Sequence, residues 1–195
     1  MQEATSNAGG ISLAALISRA ERAGKGAPPV ELWNPAYCGD IDMVIRSDGS
    51  WTYMGSPIGR PALVRLFSTV LRKDEDGRTY LVTPVEKLGI SVEDAHFHAV
   101  EMSREVRDGE PVLTFRTNVG DVVEAGSDHP LRFAIGKNGE FRPYVTVRGR
   151  LEARLTRALA FELADFIEPV AEGSCRHVVR SGGALFDIPA EAHDT

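Results

Sequence analysis

Asp48-Gly49-Ser50-Trp51-Thr52-Tyr53-Met54-Gly55-Ser56-Pro57-Ile58-Gly59-Arg60-Pro61-Ala62-Leu63-Val64-Arg65-Leu66-Phe67 decides how the rest of the chain is read. Asp-Gly between the apolar runs 43–46 and 51–54 is a hairpin signal, with the positive φ angles of a type I′ turn. The Gly/Pro-rich run 55–59 redirects the chain, and Pro61 suits the first position of a helix, where its missing N–H costs nothing. Leu63, Leu66, Phe67, Val70 and Leu71 then follow the spacing of a core-facing helix.

Working outward, Ser12 caps an N-terminal helix carrying Leu13, Leu16, Ile17 and Ala20 on one side. The Gly/Pro run 23–29 ends it. Downstream, strands are expected at 79–83, 86–92, 97–106, 112–117, 131–135 and 141–147. Asp108-Gly109 forms one hairpin, and Lys137-Asn138-Gly139 carries a second type I′ signal. A last helix over 151–167 shows Leu151, Leu155, Leu159 and Leu163 at four-residue spacing, and Pro169 closes it. A final strand or hairpin surrounds Gly182-Gly183. The fold class is α+β, antiparallel strands with a few packed helices.

The two Gly-containing hairpins suggest a repeat. Asp48-Gly49 and Asn138-Gly139 are 138 − 48 = 90 positions apart, and the same offset matches Trp51 with Phe141 and Gly59-Arg60 with Gly149-Arg150. The helices align only at 92, and a two-residue slip turns a helix by roughly 200°. A duplication with a two-residue insertion accounts for both, and chance recurrence of hairpin-then-helix is the competing account. On this reading residues 1–32 form an N-terminal helix and linker, 33–95 a first hairpin-helix-strand half, and 96–195 a second half.

The 195 residues are 43% hydrophobic and 26% charged, enough for a core without staples. A net charge of −6 argues against a nucleic-acid polymer as partner. Lysine occurs only at Lys25, Lys73, Lys87 and Lys137, so the basic residues are mostly arginine, which suits carboxylate and phosphate recognition or reflects codon bias. Cys38 and Cys175 are isolated and form no metal spacing. The start Met-Gln-Glu lacks the basic region of a secretory leader, and no stretch reaches membrane-spanning length. A cytoplasmic protein with no membrane partner is expected.

Cys-Gly-Asp at 38–40, Asp-Gly-Ser-Trp at 48–51, Gly-Ser-Pro-Ile-Gly-Arg at 55–60, Leu-Val-Arg-Leu-Phe at 63–67, Leu-Val-Thr-Pro-Val-Glu-Lys at 81–87 and Ile-Ser-Val-Glu-Asp at 90–94 resemble the bacterial family catalogued as domain of unknown function 1285. The resemblance runs from about residue 33 to 188 and is densest in the first half. It implies two related half-domains, the C-terminal one resembling a pleckstrin-homology-like barrel. It also implies a nucleotide-like ligand between the halves and a signalling role. The chain departs from the family where Pro-Phe is usual and His96-Phe97 stands instead.

Trp51 and Tyr53 alternate with Thr52 and so share a strand face, either as a stacking wall for a planar ligand or as core. Arg60 beside the Pro61 helix start, and Arg148 and Arg150 before the last helix, suit an anion, or are ordinary surface arginines. Tyr144 completes the candidate ligand-binding set in the second half. Thr83 and Glu86 offer a hydroxyl and a carboxylate to a ligand, or form a cap and a surface ion pair worth at most about 1 kcal/mol.

His96 and His98 resemble the His-x-His start of a cupin metal motif. Glu101 falls on the opposite strand face, however, and no second motif follows, so no metal or cofactor is expected. No P-loop, dinucleotide fingerprint or nucleophile elbow occurs. The expected function is a cytoplasmic binding protein for a small anionic, nucleotide-like ligand, with signalling or regulation as its role. The alternatives are a metal-dependent enzyme of the small β-barrel type using His96 and His98, and a protein-interaction module with a protein partner.

Overall fold

In the computed structural model, residues 12–22, 28–172 and 174–189 are described; 23–27, most of the expected Gly/Pro loop, lie outside them. The chain divides into two compact units. One takes the described residues up to Val44 together with Ser50–Ser91, the other Ile45–Gly49 and the described residues from Val92 onward.

In the first unit, α1 (Leu13–Arg22) buries Leu16 and Ala20. A single 3-10 turn (Val30–Leu32) leads to β1 (Tyr37–Ile45), β2 (Trp51–Tyr53), β3 (Ser56–Pro57), α2 (Pro61–Thr69), β4 (Leu71–Lys73), β5 (Thr79–Val82) and β6 (Lys87–Val92). These strands make one sheet in the order β3-β2-β1-β6-β5-β4. The Lys87 N–H donates to Ala36 C=O and the Glu93 N–H to Ile45 C=O, so β1 and β6 run the same way at the centre.

Pro61 opens α2, and the Arg60 carbonyl accepts from Leu63 N–H (2.9 Å) and Val64 N–H (3.3 Å). The helix ends where Ser68 Oγ and Thr69 Oγ1 donate back to Arg65 and Leu66 carbonyls, both at 2.7 Å, just before the β-branched Val70. Its apolar face carries Phe67, fully buried and stacked on Trp51 with ring centroids 6.5 Å apart. Burying each such ring contributes about 1.5–3 kcal/mol. The Arg72 guanidinium is buried too, satisfied by the Val30 and Trp33 carbonyls (2.8 and 2.6 Å) and by Asp74. Burial pushes the Asp74 carboxyl up, but hydrogen bonds from Arg72 and Lys87 hold it below its ordinary range.

The second unit contains β7 (Phe97–Arg107), β8 (Glu110–Thr117), β9 (Val122–Glu124), β10 (Leu131–Ile135), β11 (Phe141–Arg148), β12 (Leu151–Leu155), α3 (Arg157–Ala164), β13 (Ile167–Pro169), β14 (His177–Ser181) and β15 (Ala184–Asp187). Its main sheet has the order β10-β11-β12-β7-β8-β9, with β12 parallel to β7, and β13-β14-β15 form a small antiparallel sheet. Ser181 ties the small sheet to the large one. Its hydroxyl donates to Ala125 C=O at 2.7 Å and accepts from Leu113 N–H at 2.8 Å.

Read from the other edge, the large sheet runs β9-β8-β7-β12-β11-β10, which is the first sheet's order with six added to every strand number. The halves are therefore similar, but the repeat lies elsewhere than the offset of 90 suggests. Asp48-Gly49 between β1 and β2 corresponds to Asp108-Gly109 between β7 and β8, 108 − 48 = 60 positions on. Asn138-Gly139 between β10 and β11 corresponds to Asp76-Gly77 between β4 and β5, 138 − 76 = 62 positions back.

The expected pleckstrin-homology-like barrel is not formed, and neither sheet is purely antiparallel. Closure of the second sheet would require β9 to pair with β10, yet β9 is three residues long and pairs only with β8, and β10 pairs only with β11. The sheet stays open, with two edges.

Two local expectations also change. Leu151 and Leu155 lie in β12, whose burial alternates, and α3 begins only after Thr156. A spacing of four places residues on one face of a strand as well as a helix, which is why the period misled. The turns at Gly49 and Gly139 have a hydrogen bond from the glycine N–H to the residue three before it, with positive φ at the glycine alone. They are type I turns with a left-handed glycine. Type I′ geometry belongs to Met54-Gly55 (φ 49° and 74°) and Asp108-Gly109 (54° and 85°).

Candidate functional site

Helix α3 presents two stripes. Leu159 and Leu163 are buried, and Thr156 Oγ1 caps the first turn by accepting from Leu159 N–H. Arg157, Ala160, Phe161 and Ala164 stand at i, i+3, i+4 and i+7 on another side. This second stripe forms one wall of a cleft of about 580 Å³, whose other wall is the β10–β11 turn and the start of β11. Leu155 and Ile167 complete its apolar lining. The two alanines leave room, so Phe161 keeps 65% of its surface exposed, with the Arg157 guanidinium 5.6 Å from its ring centroid. Opposite, Phe141 is held by stacking on Phe133, centroids 5.5 Å apart.

A cross-strand row lies behind the cleft and reaches its lining at Arg154. Arg132 on β10 is opposite Tyr144 on β11, Tyr144 is opposite Arg154 on β12, and Arg154 is opposite His98 on β7. Arg132 lies 4.1 Å from the Tyr144 ring centroid and holds Glu152 with two bonds of 2.7 and 2.8 Å. The Tyr144 hydroxyl donates to Asp94 (2.8 Å), and burial, then that bond, push it up.

Arg154 divides its donors between Asp94 (2.9 Å) and Glu140 on the cleft rim (2.8 Å). Glu140 also accepts from Arg142, which holds its carboxyl below the ordinary range. His98 at the end of the row is pushed down, by burial first and then by the Arg154 charge, against the opposing effect of a bond to the Ser47 backbone. The Gly49 backbone lies over its ring: a Cβ there would sit 3.4 Å from the imidazole.

The sequence-predicted residues fall in both units. In the first, Trp51 is 2% exposed and its ring packs in the core, while Tyr53 is half-buried. Arg60 is the exposed N-cap residue of α2 and makes no side-chain capping bond. Thr83 N–H donates to Glu86 C=O (2.9 Å), the Thr83 hydroxyl is buried without a partner, and Arg19 of α1 pairs with the Glu86 carboxylate. In the second unit, Tyr144 belongs to the row behind the cleft. Arg148 holds Asp121 (2.8 Å) with its guanidinium 5.1 Å from the Phe97 ring centroid, and Arg150 lies in the turn after Gly149. Arg148 is seven residues along β11 from Phe141, roughly 23 Å at strand rise, so it is remote from the cleft.

Arg154, Arg157 and Phe161 were not singled out from sequence. Their signal is the second helical stripe, which a helix begun at Leu151 obscures. Among the described residues, no group of three or more His, Cys, Asp or Glu side chains is arranged to hold a metal ion. His96 Nδ1 accepts from Glu152 N–H (3.2 Å), while His98 faces the turn at Ser47. No described helix is long and apolar enough to cross a membrane.

Fold and site together define a two-unit α+β protein built on a repeated six-stranded mixed sheet, with a basic, aromatic cleft on its second copy. Residues 28–95 match the family model described as the N-terminal domain of the domain of unknown function DUF1285, and residues 96–188 the C-terminal domain of the same family. A crystal structure of a DUF1285 family protein from Silicibacter pomeroyi is similar at 45% identity and a TM-score of 0.82, covering 92% of this chain and 96% of that one. The chain belongs to the DUF1285 family. A second family structure, from Shewanella baltica, shares the fold at 24% identity and a TM-score of 0.50, covering 63% of this chain and 90% of that one. No curated protein matches.

Proposed function

We propose that the chain is a cytoplasmic binding protein for a small anionic, nucleotide-like ligand, taken in the cleft between α3 and the β10–β11 turn, with a regulatory rather than chemical role. One observation carries this reading: an exposed phenylalanine, Phe161, and an arginine with no ion pair among the described residues, Arg157, share one wall of an apolar cleft. A flat body stacks on such a ring and an anion meets such a guanidinium. The volume is within the range of small-molecule sites. The carboxylate of the lining, Glu140, is already shared by Arg142 and Arg154, which favours binding over proton transfer. Two free, exposed cysteines, Cys38 and Cys175, accord with a reducing compartment.

Thermal-shift and equilibrium-binding measurements with a panel of nucleotides and aromatic acids test this. A ligand at a hundred times its Kd stabilises the fold by about 2.7 kcal/mol. At least one panel member is expected to raise the Tm of the wild type and not that of Phe161→Ala. A panel in which no anion stabilises the wild type overturns the reading.

A further inference from the structure

We infer that the cleft selects a ligand bearing a single negative charge on a flat, largely apolar body, an inference that rests on the binding role proposed above. The charges of the cleft lining and its supports carry this selection. Arg142 and Arg154 are the two cations bonded to Glu140, and Arg154 is bonded to Asp94 as well. Two guanidinium groups thus face two carboxylates and leave no net charge. Next along the row, Arg132 is matched by its two bonds to Glu152. What remains in the lining is Arg157, on the exposed start of α3, with no carboxylate hydrogen-bonded to it among the described residues, its charge acting on Glu140 nearby.

An incoming anion therefore meets one lining guanidinium that no carboxylate hydrogen-bonds among the described residues. A second negative charge would lie beside Glu140, against Leu155, Ala160, Ala164 and Ile167, with no further carboxylate-free cation in the lining to pair it. Arg154 also lines the cleft, but Asp94 and Glu140 already occupy its two terminal nitrogens, so a second anion there would compete with two carboxylates for one charge. Phe161, with Ala160 and Ala164 beside it, accepts a ring and not a chain of phosphates. The shared chemistry is a planar monoanion, which a cyclic phosphodiester nucleotide or an aromatic monocarboxylate supplies. Phosphomonoesters, whose second ionisation lies near about pH 6, carry close to two charges in neutral buffer.

The test titrates the full chain at physiological ionic strength with four probes: 3′,5′-cyclic AMP, indole-3-carboxylate, AMP and ATP. At least one singly charged probe is expected to bind about tenfold or more tightly than AMP and ATP, and which of the two it is identifies the source. Arg157→Ala and Phe161→Ala are each expected to weaken that probe about tenfold, and Arg157→Lys less than Arg157→Ala. Both positions are exposed, so the variants should keep the wild-type denaturation midpoint, which is measured alongside.

Tighter binding of AMP or ATP, lost in Arg157→Ala, overturns the single-charge selection and leaves the binding role standing. Binding of the singly charged probes that is indifferent to both variants overturns the assignment to this cleft. Absence of binding by all four, with no stabilising anion in the wider panel, removes the binding role itself.

Discussion

The first unit inserts α2 between its two strand meanders, whereas the second joins β9 to β10 through the short segment 125–130 and attaches α3 after β12. The sheets have the same strand order, so the helices account for the contrast. On α2 the aromatic residue, Phe67, has no exposed surface and stacks on Trp51. On α3 the aromatic residue, Phe161, is 65% exposed beside two alanines. One sheet plan thus serves two ends: a helix that closes a core in one copy, and a helix that leaves a cleft open in the other.

Truncating the two aromatic contacts should break that contrast most sharply. Trp51→Ala is expected to cost about 3–5 kcal/mol in chemical denaturation, as large core truncations do, while Phe161→Ala should stay within about 0.5 kcal/mol. Equal costs would mean that Phe161 is structural. Next in size is Ser181→Ala, which leaves Leu113 N–H and Ala125 C=O without their buried partner. A loss of about 1–3 kcal/mol is expected from two orphaned backbone groups, and an unchanged midpoint would show that the small sheet does not depend on this tie.

A pair of threonines sharpens the comparison at a finer scale. Thr117 in the second unit is buried and its Oγ1 accepts from Asp121 N–H at 3.0 Å; Thr83 in the first is buried with its hydroxyl unpartnered. Thr117→Val should destabilise by about 1 kcal/mol, whereas Thr83→Val should be neutral or stabilising by a similar amount. Opposite signs in a denaturant titration are the expected result, and the same sign at both would refute the contrast.

The smallest effect is a slope. Burial lowers the His98 pKa in the folded state below its ordinary 6.5, so the unfolded chain binds its proton more readily. The stability held by neutral His98 is complete above pH 6.5 and is lost as pH falls from there through the lower folded value. Glu93, Glu124 and Glu140, all lowered from 4.5, lose theirs only below that pH. His98→Gln should flatten the stability curve just below pH 6.5 and leave the more acid limb unchanged. A wild-type curve already flat in that window would contradict the lowered His98.

Much of the fold was legible because it rests on local chemistry. Pro61 and the Leu63–Phe67 spacing announce α2 because a fixed φ and a 3.6-residue period act within one element. Glycines at turn positions announce the hairpins, since positive φ is costly for other residues. The turn types were less legible: Asp48 and Asn138 do not adopt the positive φ that an Asp-Gly or Asn-Gly pair allows, whereas Met54 does.

Leu151 and Leu155 fit a strand and a helix equally by spacing. Pairing of β12 with β7 and β11 decided between them. The cleft was hidden for the same reason, since Arg157 and Phe161 form a stripe only once α3 begins at Arg157.

By itself, the sequence determined the α+β class, the two-half organisation, most strands, the first two helices and membership of the DUF1285 family, because periodicity, turn chemistry and motif identity are properties of short stretches. Only the tertiary structure decided the true offset of the repeat, the open mixed sheets in place of a barrel, and which arginine of the cleft has no carboxylate bonded to it among the described residues. Those depend on strand order and on long-range partners such as Asp94 for Arg154, 60 positions apart, and no local pattern encodes which of many distant carboxylates a guanidinium will meet.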